Sequence, residues 1–300
     1  MSQRKLNRRQ QWRAEKIQQE RSARAAKQER ALDIDLTSGE LGDEQTGLVL
    51  SRFSKEFEVQ ALEGAHQSGV FRCLARSNLG SIVAGDKVTW RPASDQKGII
   101  VARDPRTSVL ERPDNFGRLK AVAANIDQML IVIAVRPLPQ PNLIDRYLVA
   151  AELMQIRPIL VLNKADLITQ DNQDQLAELL ERYAKLGYQT VNVVSAKQSE
   201  TKISQLTALI GDRTSIVVGQ SGVGKSSLLN CLLPHAELAV GELSASSGEG
   251  THTTTRATLF HLADGGKLID SPGIRDFSLW HIAANDLQKG FIEINALAGD

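Results

Sequence analysis

The chain has 300 residues, of which 42% are hydrophobic and 24% charged, and its formal net charge at pH 7 is +1. This length suggests about two domains of ~100–200 residues each, and the composition is that of a soluble globular chain. The longest apolar runs, such as residues 129–135, are far short of the ~20 residues that span a bilayer. The polar, basic N terminus is no secretory signal, and the two cysteines, Cys73 and Cys231, fit a reducing compartment. We therefore expect a cytoplasmic protein that does not contact membranes.

The charge is distributed unevenly along the chain. Residues 1–30 carry ten Lys or Arg and three Glu, a local net charge of +7, and the remainder carries 26 basic and 32 acidic residues. Residues 1–36 are poor in large apolar groups, so we expect them to form a mobile arm. A basic arm on an acidic body favours a polyanionic partner such as a nucleic acid. The alternative is a solvated tail that binds nothing in particular.

Residues 37–112 have the pattern of a small β domain. Gly, Ser, Asn or Asp separates most of its five short β-prone segments, which are residues 47–53, 56–62, 69–75, 86–92 and 98–104. Five short strands in about 70 residues predict a barrel of the oligonucleotide-binding (OB) type. An open five-stranded sheet is the alternative.

Aromatic and basic residues occur together in this β domain. The residues in question are Phe53, Phe57, Phe71, Trp90, Arg52, Lys55 and Arg72. The aromatic rings have two interpretations: they stack on nucleic-acid bases beside the basic side chains, or they fill the core of the barrel.

The pattern changes after residues 111–120, which we interpret as a polar linker with Pro113 and Gly117 as breakers. Continuous apolar runs then alternate with amphipathic helices at 143–154 and 174–186. The apolar runs predict five strands, within residues 127–135, 157–163, 190–196, 214–219 and 266–273. Strands that alternate with helices predict an α/β domain with a mostly parallel sheet covered on both faces. Ligands of such sheets bind beyond the carboxyl ends of the strands.

A phosphate-binding loop comes after the fourth of these strands. Residues 219–226 match the pattern G-x4-G-K-S, between an apolar strand and an apolar helix. Its glycines allow backbone N–H groups to surround phosphate oxygens at a helix N terminus. Lys225 is predicted to reach the β and γ phosphates, and Ser226 to offer its hydroxyl to Mg²⁺. The predicted nucleotide-binding residues are Gly219, Gln220, Ser221, Gly222, Val223, Gly224, Lys225, Ser226 and Ser227.

Two further strand ends carry a pattern that selects guanine. Asp166 of "NKAD" can accept hydrogen bonds from N1–H and the exocyclic amine of guanine, whereas adenine would leave this carboxylate unpaired. Asn163 is predicted to tether the surrounding loops, and the Lys164 stem to cover one face of the base. The backbone N–H of Ala196, in "SAK", is predicted to donate to guanine O6. The predicted guanine-binding residues are Asn163, Lys164, Asp166, Ser195, Ala196 and Lys197.

The remaining motif residues point to the γ phosphate and its metal ion. Asp270 of "DSPG" is predicted to hold Mg²⁺ through water, and the Gly273 N–H to sense the γ phosphate. A polar, Gly-rich segment at 246–259 contains "THTTT". We predict that Thr255 completes the Mg²⁺ shell, with Thr254 as the alternative. A plain surface loop is the other interpretation of this segment.

These five motifs resemble those of translation-factor-like GTPases, but their order differs. The guanine motifs precede the phosphate loop, the threonine loop and "DSPG", an order similar to that of circularly permuted GTPases. Permutation is tolerated because the termini of a domain lie close together on its surface. The chain consequently leaves the nucleotide-binding domain directly after the segment that senses the γ phosphate, which would couple that segment to the C-terminal part of the chain.

The whole set of features resembles the RsgA family of small ribosomal subunit biogenesis GTPases. The features are the basic arm, the small barrel, "AANID", "NKAD", "GQSGVGKSSLLN", "THTTT" and "DSPGIRDFSLW", in this order. The resemblance implies an OB-fold domain at 37–112, a permuted G domain at 113–277, and GTP/GDP with Mg²⁺ as cofactors. It also implies slow GTP hydrolysis that the small (30S) subunit stimulates, and a role in late subunit maturation. The implied partners are the subunit, its 16S rRNA and other assembly factors, with the protein itself a monomer.

The family also carries a C-terminal helical zinc domain, whose start we assign to residues 278–300. The sequence has no Cys or His after His281 and ends at Asp300. We therefore expect a truncated domain, and the family's structural Zn²⁺ has no ligands in this chain.

The expected chemistry has a gap at Ile274, where many GTPases carry a glutamine that orients the attacking water. Intrinsic hydrolysis is therefore expected to be slow. His252, in the threonine loop, is our candidate for positioning the water near neutral pH, and an exposed histidine without a role is the alternative. The predicted catalytic residues are His252, Lys225 and Gly273.

Three other functions compete with this one. The protein could be a GTP-gated rRNA-binding platform in which hydrolysis is incidental, or a permuted GTPase that acts on the large subunit or on another RNA. An ATPase is the least favoured, because Asp166 opposes adenine.

Overall fold

The structure is a computed structural model that describes residues 41–114, 117–195, 200–233, 257–270 and 284–298. The predicted mobile arm, residues 1–36, lies outside these ranges. The strands are β1 Gln45–Phe53, β2 Glu56–Ala61, β3 Val70–Ala75, β4 Lys87–Pro92, β5 Lys97–Arg103, β6 Val109–Pro113, β7 Leu119–Ala124, β8 Gln128–Ala134, β9 Arg157–Asn163, β10 Gln189–Asn192, β11 Thr214–Val218, β12 Thr258–His261 and β13 Lys267–Asp270. The helices are α1 Pro141–Leu153, α2 Gln173–Lys185, α3 Glu200–Ile210, α4 Lys225–Leu232, α5 Ala284–Lys289 and α6 Ile292–Ala298.

Strands β1 to β5 form a closed barrel. They pair in the order β1-β2-β3-β5-β4, and β4 returns to β1 through pairs such as Gln45 with Trp90. The β3–β5 pairing is parallel, and the others are antiparallel. The prediction of five strands in an OB-like barrel is confirmed, and the open-sheet alternative is wrong.

The aromatic residues of the barrel divide between its core and its surface. Phe57, Phe71 and Trp90 are all less than 10% exposed, and the rings of Phe71 and Trp90 lie 4.6 Å apart. Phe53, at the end of β1, is 38% exposed. The core interpretation is therefore correct for three of the four rings. Only Phe53, among the four, is accessible to a stacking partner.

The predicted polar linker at 111–120 is wrong, because the described residues on both sides of 115–116 belong to two paired antiparallel strands, β6 and β7. The breakers mark the turn between them: the Arg118 N–H donates to the Asp114 carboxylate (3.0 Å), and Gly117 has a φ of +77°. The predicted boundary between the two domains at 112/113 falls inside β6.

The second part of the sheet has the strand order β10-β9-β8-β11-β13-β12. Its first five strands pair in parallel and are those that the apolar runs predict. The sixth strand, β12, is antiparallel to β13 and was missed, because its four residues adjoin a polar, Thr-rich segment. The prediction of a mostly parallel α/β sheet is confirmed.

Side chains alternate between two apolar cores on the faces of this sheet. Met129 and Ile131 of β8 pack in a core with α1, whereas Leu130 and Val132 pack in a second core with α3 and α4. All seven residues of β8 are buried. A strand buried on both faces reads as one continuous apolar run, which is why sequence alone located it. The two cores fix the positions of the strand ends that carry the motifs.

The C-terminal helix α5 lies against α1, and Ile292, the first residue of α6, packs on the apolar core that contains α1 side chains. A Cβ atom on Gly290, between α5 and α6, would lie 2.5 Å from a methyl group of Val149, so the two chain segments approach closely. No helix within the described residues has both the length and the apolar character that crossing a membrane requires.

Candidate nucleotide-binding site

Those motif residues that the structure describes lie at one edge of the sheet because the strands that carry them are parallel. Ala134 ends β8 opposite Asn163, which ends β9. Asp270 ends β13 opposite Val217 of β11, and the phosphate-loop motif begins after Val218. The carboxyl ends of four neighbouring strands thus surround the loop at 219–224.

Glycines allow the phosphate loop to approach neighbouring backbone and side chains closely. Gly219 has a φ of +143°, and a Cβ atom there would lie 2.2 Å from the carbonyl oxygen of Val132. Gly224 has a φ of +91°, and its Cβ would lie 2.4 Å from Nδ2 of Asn163. Gly222 has a φ of +81°, with no atom closer than 3.8 Å to such a Cβ. The loop therefore needs glycine for space at two positions and for backbone conformation at all three.

Two lysine ammonium groups lie on this loop. Nζ of Lys225 donates to the carbonyl oxygens of Gly219 (2.7 Å) and Gln220 (2.8 Å). Nζ of Lys164 donates to the carbonyl of Gly222 (2.6 Å). Their two positive charges, with the N terminus of α4 that begins at Lys225, create a region of positive potential suited to phosphate groups.

Asn163 connects three of the motifs from a fully buried position. Its Nδ2 donates to the carbonyl of Val223 in the phosphate loop (2.9 Å). Its Oδ1 accepts from the backbone N–H of Lys164 (2.8 Å) and of Ser195 at the start of "SAK" (3.2 Å). These are tethering contacts of the kind that the sequence predicts for Asn163. The loop that carries Asp166 is thereby held beside the phosphate loop.

Asp166 lies in the short 3-10 turn Ala165–Leu167. This turn begins directly after Lys164, whose φ is +57°. The turn is attached to the neighbouring strand end by a hydrogen bond from the Ala165 N–H to the Val193 carbonyl (3.2 Å). The side chain of Asp166 is exposed at this edge of the sheet. A carboxylate in this place is accessible to a base. Ala196 and Lys197 lie outside the described residues.

Cys231 makes a contact that its sequence context did not indicate. Its Sγ, on α4, donates to the carbonyl of Ser195 (3.0 Å). Burial raises the pKa of this thiol, which therefore stays protonated and can donate. The helix after the phosphate loop is thus tied to the "SAK" strand end. A lone cysteine carries no sequence signal for this contact, since the two partners are 36 residues apart.

Two of the predicted Mg²⁺ ligands lie within the described residues, close to the carboxyl end of β11. Ser226 is in the first turn of α4, which comes after β11, and Asp270 ends the adjacent strand β13. A hydroxyl and a carboxylate are hard oxygen donors of the type that Mg²⁺ prefers. Thr255, Thr254, His252 and Gly273 lie outside the described residues. Within those residues, no group of three or more His, Cys, Asp or Glu side chains forms a metal site of its own.

Comparison with known proteins identifies the family. The family model described as RsgA GTPase matches residues 103–280. The chain belongs to the RsgA GTPase family. One curated relative is the small ribosomal subunit biogenesis GTPase RsgA of Marinobacter nauticus, which is 52% identical over 299 residues, 100% of this chain and 85% of the relative. The RsgA protein of a Pseudomonas fluorescens strain is 55% identical over 299 residues and is covered to 87%.

Two solved structures agree with this architecture. YjeQ from Thermotoga maritima superimposes with a TM-score of 0.66 at 29% identity, over 84% of this chain and 82% of that one. YloQ, described as a circularly permuted GTPase, gives a TM-score of 0.65 at 28% identity, over 85% and 80% of the two chains. The prediction of a circularly permuted G domain after an OB-like barrel is confirmed. As a member of the RsgA family, the protein is a GTPase that binds guanine nucleotides.

Proposed function

We propose that the protein is a GTPase of small ribosomal subunit maturation, which binds the 30S subunit and leaves it after slow, subunit-stimulated hydrolysis of GTP. The observation that carries the proposal is the buried Asn163, whose hydrogen bonds join the base-recognition loop, the "SAK" strand end and the phosphate loop. Its relatives at 52–55% identity are named small ribosomal subunit biogenesis GTPases, which supports the choice of partner.

Each end of the nucleotide has its own protein groups in this proposal. Asp166 accepts hydrogen bonds from the guanine edge, and the backbone N–H of Ala196 donates to O6. Lys225 leaves its loop carbonyls, 2.7 and 2.8 Å away, to bind the β and γ phosphates. The loop carbonyls lose two hydrogen bonds in this exchange, and the ammonium group gains a doubly charged partner.

The hydrolytic step uses the groups on the switch side. Ser226, Asp270 and Thr255 would hold Mg²⁺, which would supply positive charge to balance that of the phosphates. The Gly273 N–H binds the γ phosphate, and His252 positions the attacking water. Because Ile274 cannot orient that water, efficient hydrolysis depends on the subunit, which orders the catalytic groups. Release occurs when the γ phosphate is lost.

The 16S rRNA is the proposed direct partner within the subunit. The chain offers a basic arm with a local net charge of +7, and a barrel with exposed Arg52, Lys55 and Arg72 near the exposed ring of Phe53. Lysine and arginine contacts to phosphates release counterions, so binding should weaken steeply with salt. We further propose that the protein acts as a monomer in the cytoplasm, together with other small-subunit assembly factors.

Cosedimentation with purified small and large subunits tests this function. We expect the protein to pellet with small subunits in the presence of a GTP analogue and to pellet with them less in GDP. It should not pellet with large subunits. Turnover of GTP should rise at least about tenfold with saturating small subunits, as expected when a partner completes a catalytic site. Equal binding to both subunits would contradict the proposal. GTP-dependent binding to small subunits without any rise in turnover would favour the alternative, an rRNA-binding platform gated by GTP.

A further inference from the structure

Within the described residues, β12 is the strand through which the barrel and the sheet of the G domain form one continuous sheet. A second contact between the two parts lies at Ala84, which pairs with Ala123 of β7. Strand β1 pairs with β4 over Gln45–Leu48 and then with β12, where Ser51 lies opposite Thr258. On its other edge β12 pairs with β13, where the same Thr258 lies opposite Asp270. One residue of β12 therefore separates the barrel from the strand end that carries a proposed Mg²⁺ ligand.

Side chains reinforce this junction. Nε2 of His261, on β12, donates to Oε1 of Gln60, on β2 of the barrel, over 2.7 Å. The two residues are 201 positions apart. Ser51 is 1% exposed, and its hydroxyl donates to the Glu58 carboxylate (2.5 Å). The first of these hydrogen bonds crosses from β12 to the barrel, and the second joins β1 to β2 at the residue that pairs with β12.

The apolar core is continuous across the junction. Leu48 of β1, Leu259 of β12 and Ile269 of β13 are each at most 5% exposed and belong to one cluster. Such close-packed groups shift together rather than independently. A displacement of β1 is therefore transmitted through this packed core to the end of β13.

His261 is neutral in this setting. Partial burial lowers the pKa of its imidazole, and the charge of Lys267 lowers it further. The neutral ring has one N–H donor, and the contact with Gln60 fixes it on Nε2. The hydrogen bond is exposed to solvent, and it links the imidazole, at the end of β12, to β2 of the barrel.

We propose that β12, held by the Gln60–His261 hydrogen bond, couples the barrel to the nucleotide site. Attachment of the barrel to the small subunit places β12, and through it Asp270, in the position that hydrolysis requires. Gln60 and His261 are positioning residues, because they act through β12 and do not touch the nucleotide. The binding part of this coupling is reciprocal: the factor by which subunit attachment changes the affinity for GTP relative to GDP is the factor by which the γ phosphate changes the affinity for the subunit. The inference rests on the proposed function.

Single substitutions at the junction test this coupling. We compare Gln60→Ala and His261→Ala with Gln67→Ala, a matched change at an exposed glutamine in the β2–β3 connection. GTP turnover is measured alone and with saturating small subunits, and subunit affinity is measured in GTP analogue and in GDP. Intrinsic turnover should stay within about twofold of wild type. In Gln60→Ala and His261→Ala, the rise in turnover caused by small subunits should fall by about fivefold or more. The ratio of subunit affinities in GTP analogue and in GDP should fall as much, since fivefold is the lower end of allosteric coupling. Gln67→Ala should change neither quantity.

Two double variants separate coupling from general damage. The double alanine variant should lose no more stimulation than either single variant, because both remove the same hydrogen bond. The exchange of partners, Gln60→His with His261→Gln, should restore at least half of the lost stimulation. A purely structural role would instead lower intrinsic turnover and thermal stability in step with stimulation.

The outcomes distinguish this inference from the proposed function. If small subunits raise the GTP turnover of wild type and of both alanine variants by the same factor, the coupling role is overturned and the proposed function stands. If Gln67→Ala loses as much stimulation as they do, the role is likewise overturned. A wild-type protein that neither binds nor responds to small subunits would overturn both.

Discussion

The base side and the switch side of the nucleotide site are attached to the molecule in different ways. On the base side, the buried Asn163 amide makes hydrogen bonds to three backbone groups inside the G domain. On the switch side, β12 and β13 are linked to a second unit, the barrel, through Ser51–Thr258 pairing and the Gln60–His261 hydrogen bond. The difference suggests a division of labour: one side is preorganised to recognise guanine, and the other side connects the γ-phosphate region to the barrel.

Removal of the Asn163 side chain is the strongest way to break the base side. Asn163→Ala leaves the buried Ser195 N–H, the partly buried Lys164 N–H and the Val223 carbonyl without this partner. Each such group costs about 1–3 kcal/mol, so we expect a loss of about 4 kcal/mol in the free energy of unfolding by urea. The matched control is Asn192→Ala at an exposed position of β10, which should change stability by less than about 0.5 kcal/mol. Equal effects of the two changes would contradict the role of Asn163.

Substitution of glycines in the phosphate loop should have the next largest effect. In Gly219→Ala the new methyl group meets the Val132 carbonyl at 2.2 Å, which adds overpacking to backbone strain and should cost about 3 kcal/mol. In Gly222→Ala the methyl group makes an ordinary van der Waals contact with Cδ of Pro137 at 3.8 Å, and strain alone should cost about 1 kcal/mol. Urea unfolding without nucleotide measures both. A larger loss at Gly222 than at Gly219 would mean that the loop has a different conformation.

A change of base specificity sharpens the same comparison. Asp166→Asn replaces a carboxylate acceptor by an amide that can also donate, which suits the 2-oxo group of xanthine better than the amine of guanine. GDP affinity should fall about 100-fold, or about 2.7 kcal/mol, and xanthosine diphosphate should bind better to the variant than to wild type. Titration calorimetry measures both affinities. Unchanged GDP affinity would remove Asp166 from base recognition.

The smallest effect is expected at the barrel junction. Ser51→Ala removes the hydroxyl donor to Glu58, a single hydrogen bond worth about 1 kcal/mol. Stability to urea should fall by about that amount, with GDP affinity unchanged because the base side does not depend on this contact. A loss of GDP affinity as large as that caused by Asp166→Asn would contradict the division between the two sides.

The parts of the fold that have a strong local pattern were predicted from sequence. The barrel strands have alternating or short apolar runs, and β8, β9 and β11 are continuous apolar runs buried on both faces. The phosphate loop and "NKAD" have fixed spacings, so the parallel arrangement of the strands was enough to place them at one sheet edge. Local pattern and tertiary structure agree in these segments.

The missed features depend on contacts between distant segments. β12 has only four residues, and its pairing with β13 and β1 decides its structure. The hairpin of β6 and β7 was mistaken for a linker because Pro113 and Gly117 are breakers in both cases. The turn-forming residues of "DNFG" between two short segments were the one local signal for a hairpin. The Gln60–His261 and Cys231–Ser195 contacts leave no trace in the local sequence.

The most direct test of the account is a calorimetric comparison of GDP and ADP binding to the wild-type protein. The central claim is that Asp166 and Lys225, held near each other by the contacts of Asn163, bind the two ends of one guanine nucleotide. It predicts that GDP binds at least about 10³-fold more tightly than ADP, since a site built to hydrogen-bond one base rejects the other strongly. Affinities for GDP and ADP within tenfold of each other would contradict the claim.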